Sequence, residues 1–264
     1  MSPQHEQRPL SLQGKTAIVT GASRGIGAVI ALDLASRGAD VCLTYVSDKS
    51  GEAVTKLAAR IRSLPHRPVA QVCQADLSTL DGPQRVVDKF LKSDGSKERP
   101  LHILVNNAGV ERVKSLAECT VEDYDAVYNL NVRGVILMTQ AVLPYLQPAG
   151  RIINISSVGA RAGFANLSLY CSSKAALEGL TRCWAAELGH NGTTVNAINV
   201  GPVQSDMLNN IPKEIVQRQK ETTPVENRLG TAEEVARLVA WLAGDESGWI
   251  SGQAISASGG WAMY

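Results

Sequence analysis

The sequence lacks the features that mark several large protein classes. Its five cysteines are scattered and odd in number, with no CxxC pair, which argues against a disulfide framework and favours a reducing compartment. The four histidines show no metal-ligand spacing, so we expect no catalytic metal. A formal net charge of only +1 argues against nucleic acid or an anionic membrane as a partner.

Long apolar runs are also missing. None approaches the roughly 20 residues that span a bilayer, and the polar N-terminal stretch contains no signal-peptide core. We therefore expect a cytoplasmic protein that begins with a flexible tail at residues 1–10.

Strand-like and helix-like segments alternate along the whole chain. Short apolar runs predict strands at AIVT, DVCLTYV, VAQVCQA, LHILVN, GRIINIS, TTVNAINV and QAISA. Helical patterns separate most of them, including residues 50–63, 79–92, 122–146, 168–189 and 231–243. This alternation predicts an α/β fold built from βαβ crossovers. We expect a single-domain doubly wound (Rossmann) parallel sheet over residues 11–264, with about seven strands and helices on both faces.

One connection is unusually long. Residues 203–228 carry two prolines and many polar side chains between the sixth strand and the last helix. Because connections of this length are more often binding loops or lids than filler, we expect a substrate loop here.

The stretch TGASRGIG places glycines at 21, 25 and 27 between a strand and a helix. Missing side chains let the backbone approach a pyrophosphate, and the helix N-terminus offers free N–H groups and a positive dipole. A tight turn without a ligand is the alternative. The strand–turn–helix context favours a nucleotide site.

Several separated motifs resemble those of the short-chain dehydrogenase/reductase family over nearly the full length. They are TGASRGIG, NNAG at 106–109, NVRG at 131–134, an SS pair followed by YCSSK, and GPVQSD, in that family's order and spacing. The resemblance implies NADP(H) or NAD(H) held by the glycine turn and by backbone after later strands. The expected cofactor-binding residues are Gly21, Ser23, Arg24, Gly25, Ile26, Gly27, Tyr45, Ser47, Ser50, Asp76, Leu77, Asn107, Ala108, Gly109, Tyr170, Lys174, Gly201, Val203 and Ser205.

The end of the second strand indicates which cofactor is bound. An NAD site needs a carboxylate there to hold the ribose hydroxyls. Tyr45 occupies about that place, Ser47 and Lys49 follow, and Arg24 lies on the glycine turn. Cationic and hydroxyl donors suit a 2′-phosphate, so we expect NADP(H). Asp48 is the opposing residue, because it could face the ribose.

The stretch YCSSK places Tyr170 one helical turn before Lys174. Reduction of a carbonyl leaves an alkoxide that needs a proton, and a phenol with a free pKa of about 10 gives it reluctantly. An ammonium about 4 Å away supplies the roughly 4 kcal/mol that would lower this pKa to about 7. A solvated helix face is the alternative to this tuned acid.

The resemblance completes a catalytic tetrad with Asn131 and Ser157. Ser157 would steady the substrate oxygen, and Asn131 would anchor the lysine and a proton-relay water. Ser156 and Asn129 are their local rivals. The chain departs from the family's pattern after the sixth strand, where Val200-Gly201 and then Pro202 stand in place of the usual Pro-Gly. Ser205 stands where the resemblance implies a threonine that binds the nicotinamide carboxamide.

These residues predict an NADPH-dependent ketone reductase. The ending ISGQAISASGGWAMY most resembles fungal polyketide reductases of the hydroxynaphthalene-reductase kind, and more loosely 3-oxoacyl-carrier-protein reductases. Reduction of a 3-oxoacyl thioester, reduction of an imine on an alkaloid, and a non-catalytic cofactor-sensing role are the alternatives.

The resemblance also implies a homotetramer that pairs the helices around 122–146 and 168–189. The tail at 261–264 would cover an active site, its own or a neighbour's, or pack against the last strand. The plausible pocket residues are Val158, Arg161, Gln204, Met207 and Leu208.

Overall fold

The computed structural model describes residues 10–92, 98–204 and 213–264. Seven parallel strands form one sheet in the order β3-β2-β1-β4-β5-β6-β7. The strands are β1 Thr16–Val19, β2 Asp40–Tyr45, β3 Ala70–Gln74, β4 Leu101–Asn106, β5 Leu146–Ser157, β6 Thr194–Val200 and β7 Ala254–Ala257. The predicted doubly wound sheet is therefore confirmed.

Helices cover both faces of this sheet. They are α1 Gly25–Ser36, α2 Gly51–Arg62, α3 Gly82–Phe90, α4 Val121–Tyr128, α5 Val135–Val142, α6 Ser168–Leu188, α7 Lys213–Glu221 and α8 Ala232–Ala243. Neighbouring side chains of β1 point to opposite faces. Val19 packs in the core with α1, α2 and α8, whereas Ile18 packs in a second core with α3 and α5. Burial on both faces explains why the strands read as continuous apolar runs.

The strand order places the site. It reverses between β1 and β4, and the carboxyl ends of adjacent strands diverge into a crevice at such a switch point. The glycine turn follows β1 and the stretch 106–109 ends β4, so the two motifs meet at this crevice. None of the helices in the described ranges has the length and apolar character that a bilayer crossing requires.

The helix predicted at 122–146 is interrupted. A π-helical turn, Asn129–Gly134, separates α4 from α5, and a 3₁₀ turn, Leu143–Tyr145, precedes β5. Asn131 bonds the backbone of Val110, and a Cβ on Gly134 would lie 2.4 Å from the carbonyl oxygen of Leu77. The π-helical turn thus forms where this helix contacts loops from other parts of the chain. Such turns are often found at functional sites. The segment predicted as a loop at 203–228 contains α7.

Candidate active site

The glycine turn has the backbone that the sequence predicts. Gly21 and Gly25 adopt positive φ angles of 64° and 55°, which favour glycine. A Cβ on Gly27 would lie 2.4 Å from the Gly21 carbonyl oxygen and from Asn107 Nδ2, so only glycine lets α1 approach this closely. Within the turn, Ser23 is half-buried and Arg24 is exposed. Ile26 is partly buried and packs against the core.

The space in front of α1 fits an anionic group. Apart from Gly25 itself, its chain neighbours and the backbone of α1, no described atom lies within 4 Å of a Cβ added at Gly25, the first residue of the helix. Within the described part of the chain, the Arg24 side chain at the N-cap position makes no capping hydrogen bond. The first amides of the helix therefore point toward open space, as a pyrophosphate site requires.

Thr20 holds the glycine turn against the end of β4, a role that the sequence reading missed. Its hydroxyl accepts from the N–H groups of Asn107, at 2.9 Å, and Ala108, at 3.0 Å. Asn107 Nδ2 donates to the carbonyls of Thr20, at 2.9 Å, and Gly21, at 3.1 Å. The Asn107 side chain thus fixes the turn from behind. The sequence signal for this role of Thr20 is its position as a hydroxyl residue directly before the first glycine of the turn.

The residues expected at a 2′-phosphate cluster after β2. The hydroxyls of Ser47 and Ser50 lie 3.1 Å apart, and the ring of Tyr45 borders this loop. Asp48, the residue that could favour NAD, accepts a hydrogen bond of 2.8 Å from Gln74 Nε2. Its carboxylate is therefore engaged with β3.

Among the remaining expected cofactor residues, side chains and backbone differ in role. Asp76 Oδ1 accepts from the Ser78 amide and hydroxyl, while Leu77 is buried. A Cβ on Gly201 would lie 2.6 Å from Ser258 Cα, so this glycine permits the close approach of the residue that follows β7. The Val203 side chain is in the core, which leaves its backbone for any contact. Three expected residues lie outside the described ranges: Ser205, Met207 and Leu208.

The structure brings the four expected catalytic residues together. Lys174 Nζ donates to the Ile155 carbonyl at 2.8 Å and lies 5.8 Å from the centroid of the Tyr170 ring. A Cβ on Gly109 would lie 3.2 Å from Asn131 Oδ1 and 3.3 Å from Lys174 Nζ. The exposed Gly109 therefore separates the amide from the ammonium, on the same edge of the crevice.

Asn131 clamps the loop after β4 onto α6. Its amide accepts from Val110 N at 2.9 Å, donates to Val110 O at 2.8 Å, and donates to Ser173 Oγ at 3.0 Å. Ser173 in turn donates to the carbonyl of Tyr170 at 2.7 Å. The described contacts give this role to Asn131 and none to Asn129.

The two candidate serines point in opposite directions, as strand alternation requires. Ser156 is buried, and its hydroxyl donates to the Lys174 carbonyl at 3.1 Å. Ser157 is half-buried, accepts from Gly159 N at 3.0 Å, and interacts with the Tyr170 hydroxyl. Ser157 is thus the serine on the Tyr170 side.

The electrostatics correct one expectation. Burial raises the pKa of Tyr170 to about 12, the hydrogen bond with Ser157 opposes this rise, and the Glu111 carboxylate adds to it. Burial lowers the pKa of Lys174 to about 8. The expected lowering of the tyrosine pKa by the lysine is therefore absent from the protein alone. Desolvation is the largest cause of the pKa shift in each group.

The C-terminal tail packs over its own catalytic segment. Tyr264 donates its hydroxyl proton to the Val158 carbonyl at 2.9 Å, and the Arg161 guanidinium lies 5.2 Å from the Tyr264 ring centroid. Arg161 also donates to both carboxylate oxygens of Glu178, at 2.9 and 3.0 Å. Gln204, another of the suggested pocket residues, donates its backbone N–H to the carbonyl of Gly230.

Comparisons with known proteins agree with this geometry. The family model described as enoyl-(acyl carrier protein) reductase matches residues 21–262. The chain is 42% identical to the short-chain dehydrogenase/reductase FrzI of Cladobotryum sp, covering 96% of this chain and 97% of FrzI. It is 36% identical to the hydroxynaphthalene reductase arp2 of Aspergillus fumigatus, covering 94% and 92%.

A solved structure shows the same fold. The angucycline C-6 ketoreductase LanV with bound NADP is 31% identical, with a TM-score of 0.88 over 97% of this chain and 98% of LanV.

Proposed function

The chain belongs to the short-chain dehydrogenase/reductase family of oxidoreductases, and we propose that it reduces a ketone of a polyketide-like or other secondary metabolite to an alcohol with NADPH. The observation that carries this proposal is the meeting of Tyr170, Ser157 and Lys174 beside an open glycine turn. The hydroxynaphthalene reductase and the angucycline ketoreductase among its relatives support the substrate class.

NADP(H) fits the residues that are present. The uncapped start of α1 and the open space at Gly25 suit a pyrophosphate. Ser47 and Ser50 offer hydroxyl donors for a 2′-phosphate, whereas Asp48 is held by Gln74. The NADP bound to LanV supports the same choice. When bound, NADPH supplies the hydride of the reaction.

Tyr170 supplies the proton that the reduced substrate needs. With a pKa of about 12 it is protonated at neutral pH, so its hydroxyl can donate to the oxygen that becomes the alcohol. Ser157 interacts with the same hydroxyl and holds the substrate oxygen in place. Lys174, with a pKa of about 8, exchanges protons near neutral pH and can help to reprotonate Tyr170. Asn131 keeps α6 and the Gly109 loop in register for this transfer.

The assay measures NADPH and NADH oxidation with a hydroxylated naphthalenone and a 3-oxoacyl thioester. We expect NADPH-dependent turnover that favours the naphthalenone and that Tyr170→Phe lowers by about 10²- to 10⁴-fold. Tyr145→Phe, which removes a half-buried phenol at the opposite end of β5 from Ser157, is the matched control. Full activity of Tyr170→Phe would contradict the mechanism. Saturable binding without turnover would favour the cofactor-sensing alternative, and preference for the thioester would change the substrate class.

The exposed apolar surface of α4 bears on the oligomeric state of the protein. We propose a homotetramer that pairs α4–α5 and α6, since Val121 and Tyr124 leave apolar surface exposed on α4. Light scattering of the purified protein tests this, and a monomer would refute it.

A cytoplasmic location is supported by the five cysteines, all of them free. Cell fractionation tests that location.

A further inference from the structure

Glu111 places a carboxylate at the active site that the proposed mechanism does not use. It follows directly after Val110, whose backbone N–H and C=O are both fixed by Asn131, so its position is set by the catalytic framework. The side chain is half-buried, and the residue lies two positions after Gly109, where an added Cβ would lie 3.3 Å from Lys174 Nζ. The negative charge of Glu111 also raises the pKa of Tyr170. The loop beside the catalytic lysine therefore carries a carboxylate.

This carboxylate has no ion pair or side-chain hydrogen bond among the residues that the structure describes. Lys114, three residues further along the chain, pairs with Asp123, and Arg161 pairs with Glu178. Arg112 donates to the backbone carbonyl of the acid, not to its carboxylate. Lys174 donates to a backbone carbonyl beneath the site. Burial raises the pKa of Glu111, and no described cation opposes this.

We propose that Glu111 binds a cationic nitrogen of the substrate, an inference that rests on the proposed function. The substrate is therefore a ketone that carries a protonated or quaternary amine near the reacting carbon. A half-buried carboxylate gains most from a charged partner that arrives with the ligand. A neutral ketone would leave it unpaired, and an anionic substrate would be repelled.

The redox step is unchanged by this assignment. The carbonyl carbon takes a hydride from NADPH, the oxygen takes the Tyr170 proton, and NADP⁺ and the alcohol are the products. The amine keeps its charge throughout. An iminium carbon would present the same cationic nitrogen, but its reduction requires no proton at Tyr170.

The test compares two ketones of nearly equal shape. One is the quaternary gem-dimethyl oxopiperidinium, and the other is its neutral carbon isostere, gem-dimethylcyclohexanone. Wild type should have the higher kcat/KM for the cation. Glu111→Gln should lower that value by about 10- to 100-fold, because the quaternary nitrogen then lacks the opposite charge of the half-buried carboxylate. The neutral ketone should change by less than about twofold.

The matched control is Glu122→Gln, which removes an exposed carboxylate of α4 and should leave both substrates unchanged. An N-methyl dihydroisoquinolinium separates the two cation sources. Reduction that depends on Glu111 but not on Tyr170 would identify an iminium substrate, and it would support the cation site.

Binding without turnover gives an independent readout. Saturation-transfer NMR with the quaternary hydroxypiperidinium should give a signal with wild type that Glu111→Gln loses. Equal use of both ketones, unaffected by Glu111→Gln, would overturn the cation site while leaving the reductase proposal intact. Failure of wild type to reduce either ketone would overturn the proposed function, and failure with the iminium as well would overturn this assignment with it.

Discussion

The buried ammonium of Lys174 makes a prediction about stability and pH. The residue is 4% exposed, its hydrogen bond is to the Ile155 carbonyl, and burial lowers its pKa from 10.5 to about 8. Between these two values the unfolded chain binds more protons than the folded one, so the free energy of unfolding rises with pH. At neutral pH the lowered pKa costs the folded protein about 3 kcal/mol.

The measurement is urea unfolding of wild type and Lys174→Met at one protein concentration. From about pH 7 to about pH 9.5, wild type should gain about 2 kcal/mol relative to Lys174→Met, which lacks the titrating group. The range stays below pH 10 because Tyr170, with its raised pKa, lowers stability as pH rises above its unfolded value of 10.0.

The control for this prediction is Lys56→Met, which removes an exposed lysine of α2 and should keep the wild-type slope. Parallel curves for wild type and Lys174→Met would refute the reasoning. They would mean that the ammonium is hydrated in the folded protein, and that the lysine is not desolvated as its position implies.

Two further predictions concern the glycine turn and the tail. Gly27→Ala would put a Cβ 2.4 Å from the Gly21 carbonyl, and relieving that overlap should weaken NADPH binding by about 10-fold or more, measured by fluorescence titration. Gly189→Ala, where no described atom lies within 4 Å, is the control, and an unchanged Kd for Gly27→Ala would contradict the argument. Tyr264→Phe removes the hydrogen bond to Val158 but keeps the ring, so the KM for the ketone should rise about fivefold, seen in steady-state kinetics. A KM equal to that of wild type would show that the tail does not order the pocket.

The sequence by itself determined the features that depend on local geometry. Strands buried on both faces read as apolar runs, and the alternation with helices left the parallel sheet as the consistent topology. The spacing of Tyr170 and Lys174 fixed one helix face, because a turn of helix is the same in any fold. The glycines at 21 and 27 likewise predicted a tight turn, in which side chains at these two positions would clash with the backbone.

Only the tertiary structure decided which partners those residues meet. The Asn107 side chain turns toward Thr20, and Asn131 widens its helix into a π-turn, because both bond groups far away in sequence. The pKa of Tyr170 shifts in the direction opposite to the one expected, and burial lowers the pKa of Lys174, since desolvation depends on everything packed around the two groups and not on their four-residue spacing. Distances along the chain specify local geometry, whereas burial and long-range contacts arise only when the whole sheet is assembled.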